Sequence, residues 1–401
     1  MKQHLILALC LPLFCAQSFA QTPAPAAAPA ATTPIPATAR AAAAGTPIPN
    51  PPSVPTKGYI LMDFNSGRVL AEQLSKEKME PASITKLMTA YIVFVALREK
   101  RLLLTEDVVI SEHAWRSEGS RTFVQVGSRI PAEVLIKGMI VQSGNDATIA
   151  LAERIGGTEP AFVQMMNEYA KRLGMTGSNF DNSWGGPSPN HYSTAQDLAV
   201  LSQALIRDFP EYYRWYSLRE FVWNGIKQEN RNGLLTRDPT VDGQKTGHTE
   251  SAKYCLVSSA KRNGMRLIAV VLGSPTVKAR EDSSAALLNY GFTFYETIRL
   301  HEGGKTLLKP RVFKSEAEFA AVGTRQDIYA TVPRGESGAL LKSADINAPL
   351  IAPLAAGAKV GEFTVTAGGQ VVSRVPLITL AEVPAGGLWR RTSDSVRLWF
   401  N

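Results

Sequence analysis

The chain has 401 residues, 45% apolar and 19% charged, with a formal net charge of +8. That size and balance are ample for two globular domains and exclude a wholly disordered or fibrous protein. The mild basicity fits an anionic phospholipid or an acidic polymer, and with no basic run interleaved with aromatics in the main body it argues against nucleic acid.

Met1 to Ala20 reads as a secretory signal, with Lys2 and His4 ahead of an apolar core from Leu5 to Phe14 and a small-x-small site at Ser18-Phe19-Ala20. The apolar run is shorter than the roughly 20 residues of a membrane span. Cys10 and Cys15 leave with it, so Cys255 is the single cysteine of the mature chain and no internal disulfide forms. From Gln21 to about Thr56 the composition collapses to Ala, Pro and Thr, which reads as a solvated spacer. In an extended polyproline-like form, about 35 residues at about 3.1 Å each reach on the order of 100 Å.

Tyr59 to Asp63 and Val69 to Ala71 flank Phe64-Asn65-Ser66-Gly67-Arg68 and read as a hairpin. Tyr254 to Ala260 and Met265 to Leu272 flank Arg262-Asn263-Gly264, the strongest hairpin signal in the chain. Between them lie helical patterns at 131–139, 147–155, 159–173 and 193–207, and a last one follows near 280–290. The expected fold is therefore α+β: an antiparallel sheet with helices and an inserted helical region over residues 57–297, with a cleft between sheet and helices. Short alternating strands over 298–385 read as a smaller all-β domain. Residues 386–401 mix Trp389, Trp399 and Phe400 with Arg390, Arg391 and Arg397, a pattern suited to membrane contact.

Ser-x-x-Lys occurs three times, at Ser75, Ser83 and Ser258, but only Ser83 opens a helix. Ser75 lies in a charged run that meets Pro81, and Ser258 lies in an extended segment where residues three apart face opposite ways. After Ser83 and Lys86 comes the very apolar stretch Leu87 to Leu97, which reads as a helix enclosed by protein. Two further motifs follow in order, Ser143-Gly144-Asn145 between two helical patterns and Lys245-Thr246-Gly247-His248 leading into the Tyr254 strand. Ser-x-Asn recurs at Ser188-Pro189-Asn190, whereas Lys-Thr-Gly occurs once. Taken singly, these residues read as helix caps, a solvated lysine and a turn. Their order and context make the set specific.

Together they make chemical sense as an acyl-transfer site. The Ser83 hydroxyl needs a base, and Lys86 serves if its pKa falls well below the usual value of about 10.4. Burial and a second cation, Lys245, both push it down. Asn145 holds Lys86 through its amide, Ser143 relays a proton to the leaving group, and backbone N–H groups of Ser83 and His248 form an oxyanion hole. Lys245 and Thr246 face a substrate carboxylate. No Gly-x-Ser-x-Gly occurs and no His/Cys spacing suggests a metal, so no cofactor is expected.

With Pro81-Ala82-Ser83-Ile84-Thr85-Lys86-Leu87-Met88-Thr89, Ser143 to Ala147, Asn230 to Leu235 and Val241 to Thr249, the sequence resembles the low-molecular-mass penicillin-binding proteins of the serine-type D-alanyl-D-alanine carboxypeptidase family. The resemblance implies a periplasmic enzyme that removes the terminal D-alanine of peptidoglycan pentapeptides through an acyl-serine, is acylated by β-lactams, and carries a C-terminal β domain and an amphipathic terminal helix on the inner membrane. It also implies Gly247 in the substrate groove and Arg231 and Arg280 as helpers in carboxylate recognition. Two departures stand out: the long Ala/Pro spacer and the brief tail. The segment Asn182 to Gly186 lacks the Glu-x-x-Leu-Asn element of class A β-lactamases, which argues against efficient penicillin hydrolysis. The alternatives are a D,D-endopeptidase or β-lactamase on the same scaffold, or a non-catalytic peptidoglycan scaffold.

Overall fold

The structure, a computed structural model, describes residues 48–399. The expected signal segment and the spacer up to residue 47 lie outside the described residues, as do the last two residues of the tail. The first strands, β1 (Gly58–Asp63) and β2 (Val69–Gln73), form the expected opening hairpin. A 3-10 turn over Ala82–Thr85 runs directly into helix α1 (Lys86–Arg98). Helices α2 (Ala132–Val141), α3 (Asn145–Gly156), α4 (Glu159–Leu173) and α5 (Ala195–Asp208) build the inserted helical region. Thr158 and Thr194 cap α4 and α5 by accepting N–H bonds from Ala161 and Asp197.

The chain then returns to the sheet with β3 (Val241–Thr249), β4 (Lys253–Arg262) and β5 (Met265–Ser274), and α6 (Val277–Phe294) closes the unit. The antiparallel order is β2-β1-β5-β4-β3, which leaves β3 at an edge. Asn263 and Gly264 both adopt positive φ, 49° and 83°, as a two-residue turn joining twisted strands demands. Strands β4 and β5 are buried along nearly their whole length because both faces are covered. With the period of two, Ile268 and Val270 join the helical core, while Leu267, Ala269 and Val271 pack with Leu287 and Leu288 of α6.

Three placements differ from the sequence reading. Residues 48–56, read as the end of the solvated spacer, pack on the globular unit: Ile48 and Val54 join the core around Tyr59 and Tyr290, Tyr290 donates to the Pro49 carbonyl at 3.0 Å, and Thr56 Oγ1 donates to the Leu272 carbonyl at 2.6 Å, because these two apolar side chains find a surface to cover. Ser83 was expected on the α-helix itself but stands on the 3-10 turn. Such a turn eclipses residues three apart, so it stacks Ser83 over Lys86 more closely than an α-helix does. Lys245 to His248 were expected to lead into a strand and instead lie within β3. In addition, a hairpin of Glu220–Trp223 and Ile226–Glu229 was not expected; it is short and mostly exposed.

Beyond α6 the chain is β-rich, as expected. Strand β6 (Tyr295–His301) pairs with β7 (Ile328–Pro333). Strands β8 (Leu341–Ile346), β9 (Lys359–Ala367) and β10 (Gln370–Thr379) belong to a second antiparallel sheet around Val322, Phe363, Val365 and Leu377. The buried Asp63 joins this part to β1: Thr297 donates to its Oδ2 at 2.7 Å, and Ser66 donates to its Oδ1 from both N–H and hydroxyl, at 2.7 and 2.8 Å. A last helix, α7 (Leu388–Arg397), spans most of the tail.

Candidate active site

Every residue of α1 except Arg98 is buried, so the helix is a fixed mount for its first residue, Lys86. The Lys86 side chain is 1% exposed. Its Nζ lies 2.9 Å from Ser83 Oγ, 2.8 Å from Asn145 Oδ1 and 2.6 Å from the Trp184 carbonyl oxygen. Burial, with Lys245 and Arg231 nearby, holds this amine well below the ordinary lysine value against a smaller opposing pull from Asp146. A neutral amine has two N–H donors and one lone pair. In that form the amide and carbonyl oxygens would accept the two protons and leave the lone pair for the Ser83 hydroxyl.

Asn145 opens α3 and is itself held by the loop before α2. Its Nδ2 donates to Glu118 O at 2.5 Å and its backbone N–H to Ser120 O at 2.7 Å, which fixes the amide with Oδ1 toward Lys86. The next residue, Asp146, has a fully buried carboxylate that accepts N–H bonds from Thr122, Phe123 and Val124, pinning the same loop. Ser143 sits at φ 66°, a conformation costly for a serine, and its buried Oγ has no hydrogen-bond partner among the described residues. Strained backbone of this kind clusters at functional positions.

The third motif is brought in by β3. Gly247 lets this edge strand approach the Ser83 turn, since a Cβ there would stand 2.8 Å from the Pro81 carbonyl oxygen. From the opposite side Gly185, at φ 93°, packs so close to the Ala82 carbonyl that any side chain would collide with it. Ser83 is thus held between two glycine contacts, and the leading N–H groups of its 3-10 turn have no partner within the turn. Lys245 is buried, and burial with Arg231 and Arg280 holds its amine well below the ordinary lysine value; among the described residues its Nζ reaches only the Thr246 carbonyl, at 3.2 Å.

These pieces meet at a cleft of about 610 Å³ lined by Ser83, Ser143, Asn145, Thr246, Gly247, His248, Arg231 and Arg280, so eight of the ten residues singled out from sequence reach its surface. The other two, Lys86 and Lys245, are buried beneath it. His248 is exposed and stacks on Tyr254 with ring centroids 4.2 Å apart; Arg280 lies 5.8 Å from the same tyrosine ring. Neither Arg231 nor Arg280 has a carboxylate partner among the described residues, and the buried Arg280 Nε is unpartnered. Two uncompensated guanidinium groups at one end of a cleft suit a carboxylate ligand. The other Ser-x-x-Lys and Ser-x-Asn matches lie apart, in a turn at Ser75, in β4 at Ser258 and in a loop at Ser188.

Sequence reasoning missed three contributors. The Trp184 carbonyl is a backbone group, invisible as a side-chain motif. His191 bonds to Thr85, between the nucleophile and the base, yet stands about 100 positions away. Asp146 follows Asn145 directly in the second motif. Its place directly after an amide motif was a usable signal.

The sequence profile of the D-alanyl-D-alanine carboxypeptidase family matches residues 46–276, and that of the penicillin-binding protein 5 C-terminal domain matches residues 295–385. D-alanyl-D-alanine carboxypeptidase DacA of Escherichia coli K12 is 40% identical over 362 residues, covering 88% of this chain and 90% of its own length. Penicillin-binding protein 5 from Haemophilus influenzae superposes with a TM-score of 0.79 at 39% identity, over 84% of this chain and 99% of that one. Penicillin-binding protein D2 of Listeria monocytogenes, solved in an ampicillin-bound form, matches with a TM-score of 0.56 at 31% identity, over 61% of this chain and 99% of that one. Fold and comparisons together define a serine-type peptidase. The chain belongs to the D-alanyl-D-alanine carboxypeptidase family.

Because Arg231 stays cationic at any working pH and lowers the Lys86 amine, Arg231→Gln lets that amine hold its proton to higher pH. Acylation by saturating benzylpenicillin, followed from pH 5 to 10, is expected to show its acid limb displaced to higher pH in this variant. An unmoved limb would remove Arg231 from the electrostatics of the base.

Proposed function

We propose that the protein removes the terminal D-alanine from peptidoglycan pentapeptides, with Ser83 as nucleophile and Lys86 as base. The observation that carries this reading is the buried Lys86 amine, 2.9 Å from Ser83 Oγ and within hydrogen-bond distance of two further acceptors, Asn145 Oδ1 and the Trp184 carbonyl oxygen. Lys86 takes the Ser83 proton as Oγ attacks the carbonyl carbon of the penultimate D-alanine. The oxyanion forms against the N–H groups of Ser83 and His248. The terminal carboxylate of the substrate meets Thr246, Lys245 and the guanidinium groups of Arg231 and Arg280.

As the tetrahedral species collapses, the C–N bond breaks and the leaving nitrogen receives the proton from Lys86 through the Ser143 hydroxyl. This role gives the unpartnered Ser143 Oγ its partners. D-Alanine departs, and water, deprotonated by the same lysine, hydrolyses the ester. A β-lactam follows the first half of this path, but its ring-opened leaving group stays attached. The carboxylate bonded to the 182–186 segment, that of Glu159, is occupied by the N–H and hydroxyl of Ser183 and does not line the cleft. With the tethered leaving group still in the path of the water and no second base from that segment in the cleft, the penicilloyl ester is expected to be long-lived.

The protein acts outside the cytoplasm, on the strength of the Met1–Ala20 pattern, and touches the inner membrane through α7. Asp394 holds that helix to the β-rich part by accepting the Lys314 N–H at 2.7 Å. Leu388, Trp389, Val396 and Trp399 are turned outward at 81, 87, 61 and 91% exposure. No helix among the described residues is long and apolar enough to cross a membrane, so contact is at the interface.

With a peptide ending in D-Ala-D-Ala, the mature protein is expected to release D-alanine, and Ser83→Ala to lose at least about a thousandfold of that rate. Release that survives in Ser83→Ala would overturn the nucleophile; release only from cross-linked muropeptides would make the enzyme an endopeptidase. In fractionated cells producing the full chain, the processed protein is expected to begin at Gln21 and to sediment with membranes. Replacing Trp389 and Trp399 together by Ser should move it to the soluble fraction, and an unchanged distribution would remove α7 from membrane contact.

A further inference from the structure

His191 is 2% exposed and lies outside the cleft lining, yet it is bonded to the catalytic turn. Its Nδ1 accepts the Asp181 N–H at 3.1 Å, so the ring proton resides on Nε2. Nε2–H then donates to Thr85 Oγ1 at 2.7 Å. Thr85 is the residue immediately before the base. The imidazole therefore closes the 181–191 segment at its two ends and fastens it to the junction of the 3-10 turn and α1. Phe180 packs edge-on against the ring, with centroids 5.8 Å apart.

Inside the closed segment stand three contacts with the Ser83 turn and α1. The Ser183 carbonyl accepts from Thr89 Oγ1 at 2.5 Å, the Trp184 carbonyl accepts from Lys86, and Gly185 packs against the Ala82 carbonyl. Thr85, Lys86 and Thr89 lie on one helical face, so His191 supplies one of three successive attachments along it. The Trp184 carbonyl matters most, since it takes the second N–H of Lys86 and so decides where the lone pair points.

We propose that His191 is a positioning residue for the base: by clamping the 181–191 segment to Thr85 it sets the Trp184 carbonyl that orients the Lys86 amine toward Ser83. Burial pushes the imidazole down to about 4, with Lys86 adding to this and Asp181 and Glu80 opposing it, so at neutral pH the ring is uncharged and acts as a two-ended hydrogen-bond bridge. The inference rests on Lys86 as base and extends it to a residue that touches neither substrate nor nucleophile.

The test compares His191→Leu, which fills the space and makes neither bond, with His191→Gln, whose amide can accept from Asp181 and donate to Thr85. Each is assayed for D-alanine release and for Ser83 acylation by fluorescent penicillin, beside thermal unfolding. His191→Leu is expected to lose about ten- to a hundredfold in kcat and in acylation rate with KM little changed, and His191→Gln to recover most of it. Thr85→Val cuts the same bond from the other side, and the double variant Thr85→Val, His191→Leu should be no slower than the slower single one. Folded His191→Leu that acylates at the wild-type rate, equal losses in Leu and Gln, or losses that multiply in the double variant would each overturn the proposal. If His191→Leu fails to fold, Thr85→Val and His191→Gln still decide it, through a loss in the first and retention in the second. Wild-type protein that takes up no penicillin would overturn the proposed function itself, a different failure from a His191→Leu rate equal to wild type.

Discussion

A lysine amine taken out of water is costly to charge, and at this site the cost is turned into reactivity. Lys86 lies under a wall of protein beside two further cations, Lys245 and Arg231, and its neutral form is stabilised relative to the ammonium. Neutrality alone does not make a base. The amine must also point, and the paired acceptors at Asn145 and Trp184 leave it one direction in which its lone pair is free. Electrostatics sets the protonation state, and hydrogen bonding sets the aim.

Much of the fold serves to keep those acceptors still. The Asn145 amide is held from a loop that Asp146 in turn pins through three N–H bonds. The Trp184 carbonyl is carried by a segment anchored to α1. On the third side, edge strand β3 must come within backbone contact of the catalytic turn, which restricts residue 247 to glycine. A helix buried on all faces and a sheet covered on both faces give these contacts a rigid reference. This arrangement supplies the pre-organisation that acyl transfer requires.

The three motifs were legible because each depends on side-chain identity at fixed spacing, and the α+β plan was legible because Asn263-Gly264 and the apolar run from Leu87 to Leu97 carry strong local signals. The strand setting of Lys245 to His248 was less visible, since Asp242, Gly243, Gln244 and Gly247 have poor strand propensity and are held there by pairing with β4. The 3-10 start at Ser83 escaped because residues 82–85 carry no pattern that separates it from the first turn of an α-helix, and the glycines packed against it, Gly185 and Gly247, are distant in sequence. Backbone acceptors and a histidine about a hundred residues from its partner leave no local pattern at all.

The proposed chemistry depends on an uncharged Lys86 amine at working pH. Its most direct test is to titrate the Nζ resonance of Lys86 by NMR in protein labelled with nitrogen-15 at lysine side chains, assigned by comparison with Lys86→Arg. The result expected is a signal at the shift of a neutral amine across the neutral range, titrating well below the other lysines. A Lys86 signal that stays ammonium-like up to the ordinary value of about 10.4 would contradict the account.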